Sequence, residues 1–262
     1  MRIIDFHTHV YPEAIARKAA DNVRAFYDGI GNDAIDGRVQ TLLERGKEAG
    51  ITNFVLLPVA TKPDRTRHIN EFIIREANAQ PCFTGFGTVH AAMENLMEEV
   101  DFIQSSGLCG IKIHPDYQTF AIDDPRMFPV YEQIQGKLPI VFHMGDLRYD
   151  YSHPARLRRI LDLFPNLQVV AAHFGGYQMR EVAKDVLTDT NCLFDTSSSL
   201  MFMDSGVAES YIRHYGAERF VYGTDYPMWD PLVEVERFLS LGLTDAEKEQ
   251  IAWKTAAEVL KL

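Results

Sequence analysis

Eight short apolar segments alternate with longer helical segments along the chain, and this alternation restricts the fold more than any other feature. Most of the eight are apolar nearly throughout, which is typical of parallel strands buried on both faces. The predicted strands are Arg2–His9, Asn53–Val59, Cys82–Val89, Cys109–His114, Leu138–His143, Leu167–His173, Cys192–Asp195 and Phe220–Thr224. The predicted helices, with apolar residues three and four apart, are Ile69–Ala79, Ala92–Ile103, Met127–Gln135, Ala155–Phe164, Met179–Leu187, Leu232–Leu241 and Thr244–Leu260.

Eight strands alternating with helices in 262 residues favour an α/β fold of the (β/α)8 TIM-barrel type. The competing architecture is an open doubly wound sheet, which usually has about five or six strands and often a glycine-rich phosphate turn after the first one. Here the first predicted strand ends in Asp5-Phe6-His7-Thr8-His9 instead. No linker rich in Pro, Gly or Ser divides the sequence, so we expect one barrel domain over residues 1–262, with an insertion loop at Asp28–Asp36.

Charge and cysteine content exclude several functional classes. Lys and Arg total 26 against 37 Asp and Glu, a net charge of −11, and no basic run indicates a nucleic-acid or membrane surface. No apolar stretch approaches the roughly 18 residues of a membrane span, and the N-terminus does not resemble a secretory signal. Cys82, Cys109 and Cys192 are odd in number and widely spaced, which favours reduced thiols. We therefore expect a cytoplasmic protein with a small-molecule substrate, no nucleic-acid or membrane partner, and a homodimer as one option for its assembly.

Polar residues occur where the predicted strands end, and the active sites of TIM barrels lie at the carboxyl ends of the strands. His7 and His9 are two residues apart on a strand, so their side chains point to the same face and can hold one ion together. The other residues at strand ends are His114, His143, His173 and Asp225. The set predicts a metal site with acid–base groups beside it.

The segments around these residues resemble a known family. They are Ile4-Asp5-Phe6-His7-Thr8-His9, Gly110-Ile111-Lys112-Ile113-His114-Pro115, Val141-Phe142-His143-Met144-Gly145, Ala172-His173-Phe174-Gly175-Gly176 and Tyr222-Gly223-Thr224-Asp225-Tyr226-Pro227. In order and spacing, the chain resembles metal-dependent TIM-barrel members of the amidohydrolase superfamily, in the branch of aminocarboxymuconate-semialdehyde decarboxylase. The resemblance covers nearly the whole chain.

The resemblance implies a site with one divalent metal ion. His7, His9, His143 and Asp225 would hold the ion, and His173 would be the catalytic acid or base beside it. Zn is the expected metal, and Mn, Fe or Ni would also suit these ligands. Asp225 has a second possible role, in which it ligates weakly and takes the proton of a metal-activated water.

Four further residues are candidates for substrate binding. Lys112 alternates with His114 on the fourth predicted strand, so both are expected to face inward, with Lys112 as a buried cation for an acidic substrate. In two-metal members of the superfamily, a carbamylated lysine on this strand bridges the ions, and that alternative stays open for Lys112. Arg148 and His153 lie in the loop after the fifth strand, where His153-Pro154 also marks a helix start.

Three functions are compatible with the sequence. The first is hydrolysis of a C–N or C–O bond in a small carboxylated substrate by metal-activated water, with His173 as acid and base. The alternative is a lyase, a non-oxidative decarboxylase of a small unsaturated or aromatic carboxylic acid. The third is a barrel that binds a ligand without turning it over, which the complete set of predicted metal ligands disfavours.

Overall fold

The computed structural model describes residues 1–262, which form two compact units: a first unit of residues 1–56 and 196–262, and a second unit of residues 57–195. The strands are β1 Ile4–Thr8, β2 Asn53–Leu56, β3 Phe83–Gly85, β4 Gly87–Thr88, β5 Ile111–Ile113, β6 Ile140–Phe142, β7 Val169–Ala171, β8 Leu193–Asp195 and β9 Phe220–Val221. The helices are α1 Ala16–Phe26, α2 Val39–Glu48, α3 Thr66–Ala79, α4 Leu96–Ser105, α5 Pro115–Gln118, α6 Phe128–Ile134, α7 Pro154–Leu163, α8 Arg180–Leu187, α9 Ser205–Tyr215, α10 Pro231–Ser240, α11 Asp245–Glu249 and α12 Thr255–Leu260.

In the first unit, strand β1 lies between β2 and β9 and is buried along its whole length. On one side Ile4 pairs in parallel with Asn53 of β2. On the other side the Phe6 amide donates to the carbonyl of Tyr222, just after β9, at 2.8 Å. Because β1 is hydrogen-bonded along both edges, its register is fixed, and so are the positions of the side chains at its carboxyl end.

Strands β4 to β8 of the second unit pair in sequence order, and all of these pairs are parallel. Their registers join Gly87 to Ile111, Ile111 to Ile140, and Ile140 to Val169. Each crossover carries at least one helix, as parallel strands require. The polar residues that follow β5, β6 and β7 therefore lie at the same edge of this sheet.

All eight predicted strands are present, and the third is divided into β3 and β4 at Phe86. The C-terminal helix begins with a capping box, in which Thr244 and Glu247 exchange hydrogen bonds. It is not one regular helix, because a π-helical segment, Gln250–Lys254, separates α11 from α12. The longest helix, α3, has 14 residues, and none of the helices combines the length and apolarity of a membrane span.

Candidate metal centre

Three candidate ligand atoms lie close together in the first unit. The Nε2 atoms of His7 and His9 are 3.2 Å apart. The Oδ1 atom of Asp225 is 3.5 Å from Nε2 of His7 and 3.3 Å from Nε2 of His9. His7 and Asp225 are almost completely buried. The three atoms form a nearly equilateral triangle of two imidazole nitrogens and one carboxylate oxygen.

The size of this triangle fits a divalent metal ion. Zn²⁺ with bonds of about 2.05 Å in tetrahedral geometry has ligand atoms about 3.3 Å apart. The three observed distances, 3.2, 3.3 and 3.5 Å, lie around that value. His and Asp are also ligands that Zn and Mn accept. The three residues therefore fit one face of a metal coordination sphere.

One backbone hydrogen bond and one side-chain contact hold His7 and Asp225 in place. The Asp225 amide donates to the carbonyl of His7 at 2.8 Å, which ties the segment after β9 to the end of β1. Oγ of Ser197 lies 2.9 Å from Nδ1 of His7. When Nε2 of a histidine ligates a metal, its Nδ1 carries the proton, so His7 would donate to Ser197. Ser197 thus orients the ring of His7 from the side away from the triangle.

Several residues at strand ends adopt a left-handed backbone that side-chain-bearing residues rarely use. The φ angle is +61° at His173, +56° at Phe174, +45° at Ser198 and +64° at Asp225. Such conformations cost free energy, and they persist where the surrounding structure enforces them, commonly at functional sites. Two of the four, His173 and Asp225, are candidate site residues predicted from the sequence.

The second unit places His143 directly after β6 and His173 two residues after β7. Nε2 of His173 is 2.9 Å from Nδ1 of His143, within hydrogen-bond distance. The backbone of His173 is fixed because its amide donates to Oδ1 of Asp195 at 2.8 Å. The amide of Phe174 donates to the Asp195 carbonyl at 3.0 Å. Asp195 therefore holds the turn that presents the imidazole of His173 to His143.

His114 stacks on His143, with ring centroids 3.8 Å apart and an angle of 7° between the rings. Its Nδ1 accepts a hydrogen bond from the Tyr117 amide, so His114 also caps helix α5. The carboxylate of Asp116 lies nearby, with Oδ2 3.7 Å from Nε2 of His143. The lone pairs of an imidazole lie in the ring plane, and two parallel stacked rings cannot direct them at one ion. The cluster of His114, Asp116 and His143 is thus poorly arranged for a second metal ion.

Asp116 is a buried acid that the sequence analysis did not identify. Burial raises the pKa of Asp116 to about 7, although a hydrogen bond from Ser152 opposes the shift. Ser152 Oγ donates to Oδ2 of Asp116 at 2.5 Å and accepts from the Gly145 amide at 2.9 Å. Oδ1 of Asp116 has no hydrogen-bond partner. Ser152 therefore connects the loop after β6 to a carboxyl group beside His143.

The four predicted substrate contacts occupy different environments. Lys112 is buried in β5, and His114 stacks on His143 as described above. The guanidinium of Arg148 binds the carboxylate of Asp146 through two hydrogen bonds of 3.0 and 2.8 Å. His153 caps α7, since its Nδ1 accepts from the Ala155 amide at 3.1 Å, and Pro154 is the first helical residue as predicted. Substrate binding by these residues stays a prediction.

Solved structures similar to this chain cover nearly its whole length. Among solved structures, a TIM-barrel protein from Bordetella bronchiseptica is 22% identical, with a TM-score of 0.83 and coverage of 100% of this chain and 99% of that one. The 5-carboxyvanillate decarboxylase LigW from Sphingomonas paucimobilis is 17% identical, with a TM-score of 0.79 and coverage of 100% and 99%. A dihydroxybenzoic acid decarboxylase from Polaromonas, with bound manganese and the inhibitor 2-nitroresorcinol, is 17% identical, with a TM-score of 0.77 and coverage of 99% and 97%.

No curated protein matches the chain significantly. The solved structures share the fold over the whole chain, and this confirms the predicted TIM barrel. An amidohydrolase family model matches residues 4–262. The chain is therefore a TIM-barrel enzyme of the amidohydrolase superfamily, and it belongs to that family.

Proposed function

We propose that the protein is a metal-dependent, non-oxidative decarboxylase of a small aromatic or unsaturated carboxylic acid. The observation that carries the proposal is the triangle of His7, His9 and Asp225, whose dimensions fit a divalent cation. Structurally similar proteins include decarboxylases of carboxyvanillate and dihydroxybenzoate, which supports the lyase that the sequence left as its alternative. The hydrolase that the sequence analysis placed first has less support from these proteins.

One divalent ion would be held by His7, His9, His143 and Asp225. The active sites of TIM barrels lie at the carboxyl ends of the strands. Strand β1 ends between His7 and His9, His143 directly follows β6, and Asp225 follows β9. Three neutral imidazoles and one carboxylate leave a divalent ion with a net positive charge. The ion would attract the carboxylate or a neighbouring hydroxyl group of the substrate and stabilise the negative charge that develops there. A structurally similar decarboxylase binds manganese, so Mn is a candidate beside Zn.

His173 would supply the proton that decarboxylation requires. When the bond between the ring carbon and the carboxyl carbon breaks, CO₂ leaves and the electron pair remains on the ring carbon. That carbon then needs one proton, so the net reaction converts a carboxylate and a proton into CO₂ and a C–H bond. His173 is buried, its backbone is fixed by Asp195, and Nε2 lies 2.9 Å from His143. It is thus a rigid acid–base group beside a proposed ligand.

Lys112 and His114 would bind the acidic part of the substrate. Lys112 is buried in β5, and His114 follows two residues later against the ring of His143. The protonated form of a buried lysine would be stabilised by a negatively charged group, which suits a carboxylate substrate. Arg148 already binds Asp146, and His153 already caps α7, so their predicted substrate contacts have less support.

The products of the purified enzyme test the reaction class. The protein is loaded with Zn²⁺ or Mn²⁺ and incubated with hydroxybenzoates, muconate-like acids, lactones and small amides. We expect CO₂ release from the acids, and in D₂O one deuterium on the carbon that lost its carboxyl group. Opening of a lactone or amide without CO₂ release from any acid would overturn the proposal in favour of a hydrolase.

Replacement of His173 tests its role separately from metal binding. His173→Asn should retain the metal content of the wild type and lower turnover by about 10²–10⁴-fold, because the proton donor is lost. His68→Asn is the matched control, since His68 is an exposed residue of α3. Turnover of His173→Asn equal to that of the control would remove His173 from the mechanism.

A further inference from the structure

We propose that Ser198 and Trp229 are positioning residues that hold Asp225 in a fixed orientation, with one oxygen directed at His7 and His9. This inference rests on the metal site proposed above and concerns residues for which the sequence indicates no such role. The three residues form a chain of hydrogen bonds in the first unit, from the indole of Trp229 through the hydroxyl of Ser198 to Asp225.

The direction of each hydrogen bond is fixed by chemistry. The indole Nε1–H of Trp229 lies 2.8 Å from Oγ of Ser198, and an indole nitrogen can only donate. The Ser198 oxygen is therefore the acceptor of that bond. Its own hydrogen is directed at Oδ2 of Asp225, which accepts it. A carboxylate has no hydrogen to return, so the hydroxyl group cannot reverse its direction.

The two oxygens of Asp225 consequently have different roles. Oδ2 is occupied by Ser198, whereas Oδ1 lies 3.5 Å from Nε2 of His7 and 3.3 Å from Nε2 of His9. Rotation of the Asp225 carboxylate would break the hydrogen bond from Ser198 and leave Oδ2 buried without that donor. The arrangement favours a carboxylate that ligates through Oδ1 alone. It supports the role of Asp225 as a metal ligand over its alternative role as the group that accepts a proton.

The local backbone is held in a conformation that serves this contact. Ser198 has a φ of +45°, in the left-handed region that serine adopts less readily than Asn or Asp. Ser198 is 5% exposed, so its hydroxyl group exchanges little with solvent. The indole of Trp229 is itself packed edge-on against Phe202, with ring centroids 5.7 Å apart and an angle of 79°. Packing therefore fixes the indole, which is the first donor in this series of hydrogen bonds.

The test measures metal affinity, with activity as a second readout. Ser198→Ala should weaken binding of Zn²⁺ and Co²⁺ by about 10–100-fold, the usual effect of removing a group that orients a metal ligand. Trp229→Phe keeps an aromatic ring but removes the N–H, and it should weaken binding in the same direction by less. Because Trp229 acts through Ser198, the double variant should bind no more weakly than Ser198→Ala. The visible absorption spectrum of the Co²⁺ protein should change in both single variants.

Ser199→Ala is the matched control. Ser199 is also buried, but its hydroxyl donates to the Ser197 carbonyl, so Ser199→Ala should bind metal like the wild type. Equal affinities of Ser198→Ala and the wild type, or additive losses in the double variant, would overturn the inference. If Ser198→Ala does not fold, Trp229→Phe carries the test alone, and an unchanged affinity and spectrum would overturn it. A wild-type chain that binds none of these ions would overturn the proposed metal site as well.

Discussion

Gly223, which follows β9, lies against His7 and provides a graded test of the metal site. A Cβ atom at this position would lie 2.7 Å from Cβ of His7, 3.3 Å from Cβ of Ser197 and 3.4 Å from the His7 amide nitrogen. Nonbonded carbon atoms prefer separations of about 3.5 Å or more, so Gly223→Ala requires a movement of about 0.8 Å. Ser197 restricts movement of the new methyl group on the other side, so His7 must give way.

Two effects of different size follow from this displacement. Overpacking of this kind costs about 1–3 kcal/mol in the free energy of unfolding, which a folded domain of this size tolerates. Metal–ligand distances, in contrast, tolerate only about 0.2 Å, so a shift of His7 by several times that amount should disrupt its bond. We expect the affinity for Zn²⁺ to fall at least about tenfold, which corresponds to about 1.4 kcal/mol.

The assay combines urea unfolding of the metal-free protein with Zn²⁺ competition against a chromophoric chelator. Gly206→Ala is the control, because a Cβ atom there meets no atom within 4 Å and Gly206 lies in helix α9. It should leave Zn²⁺ affinity unchanged and raise stability by about 0.5–1 kcal/mol. A folded Gly223→Ala protein with wild-type Zn²⁺ affinity would refute the reasoning that His7 is a ligand held at this position.

Two further predictions concern stability. Burial raises the pKa of Glu234 to about 7 from 4.5, so the folded chain retains a proton that the unfolded chain releases. The contribution of Glu234 to the free energy of unfolding is complete below pH 4.5 and is lost as the pH rises to about 7. Near pH 8, Glu234→Gln should therefore be more stable than the wild type by up to about 3 kcal/mol, with no such gain near pH 4. The control, exposed Glu236→Gln, should leave the stability unchanged at both pH values. Parallel pH profiles of stability for the two variants would contradict this prediction. Ser152→Ala removes the hydrogen bond to Oδ2 of Asp116, whose Oδ1 has no partner, and should lower the free energy of unfolding in urea by about 2–3 kcal/mol. The control, exposed Ser105→Ala, should lower it by about 0.5 kcal/mol or less. Equal losses would show that Asp116 does not depend on Ser152.

The strands were predictable because each is a short apolar run, but some helices carry a weaker signal. Helix α1 buries Ala16, Ala20 and Arg24, which are two small residues and an arginine in place of large apolar ones. Helix α2 buries only Leu42 and Gly46. Helix α1 lacks the periodicity of large apolar residues from which helices are predicted, whereas α2 has Val39, Leu42 and Leu43 at helical spacing. Both helices were missed.

Helix α9 differs, because its buried residues at positions 208, 211, 212 and 215 have full helical spacing. That pattern was present in the sequence, and the prediction omitted the helix nevertheless.

The proposed metal ligands could be identified from the sequence because they lie at strand ends, where strand periodicity alone sets the direction of a side chain. The residues that orient them could not. Ser198 reaches Asp225 through a left-handed turn, and Trp229 reaches Ser198 from a loop. Asp116 comes close to His143 through the short helix α5. Such contacts depend on loop conformation, which residue patterns do not determine.

A crystal structure of the protein grown with Zn²⁺ or Mn²⁺, with the metal located by anomalous scattering, tests the central claim most directly. We predict one ion per chain, bonded to His7, His9, His143 and Oδ1 of Asp225 at about 2.0–2.2 Å. Two ions bridged by Lys112, or imidazoles 7, 9 and 143 that share no ion, would contradict the account.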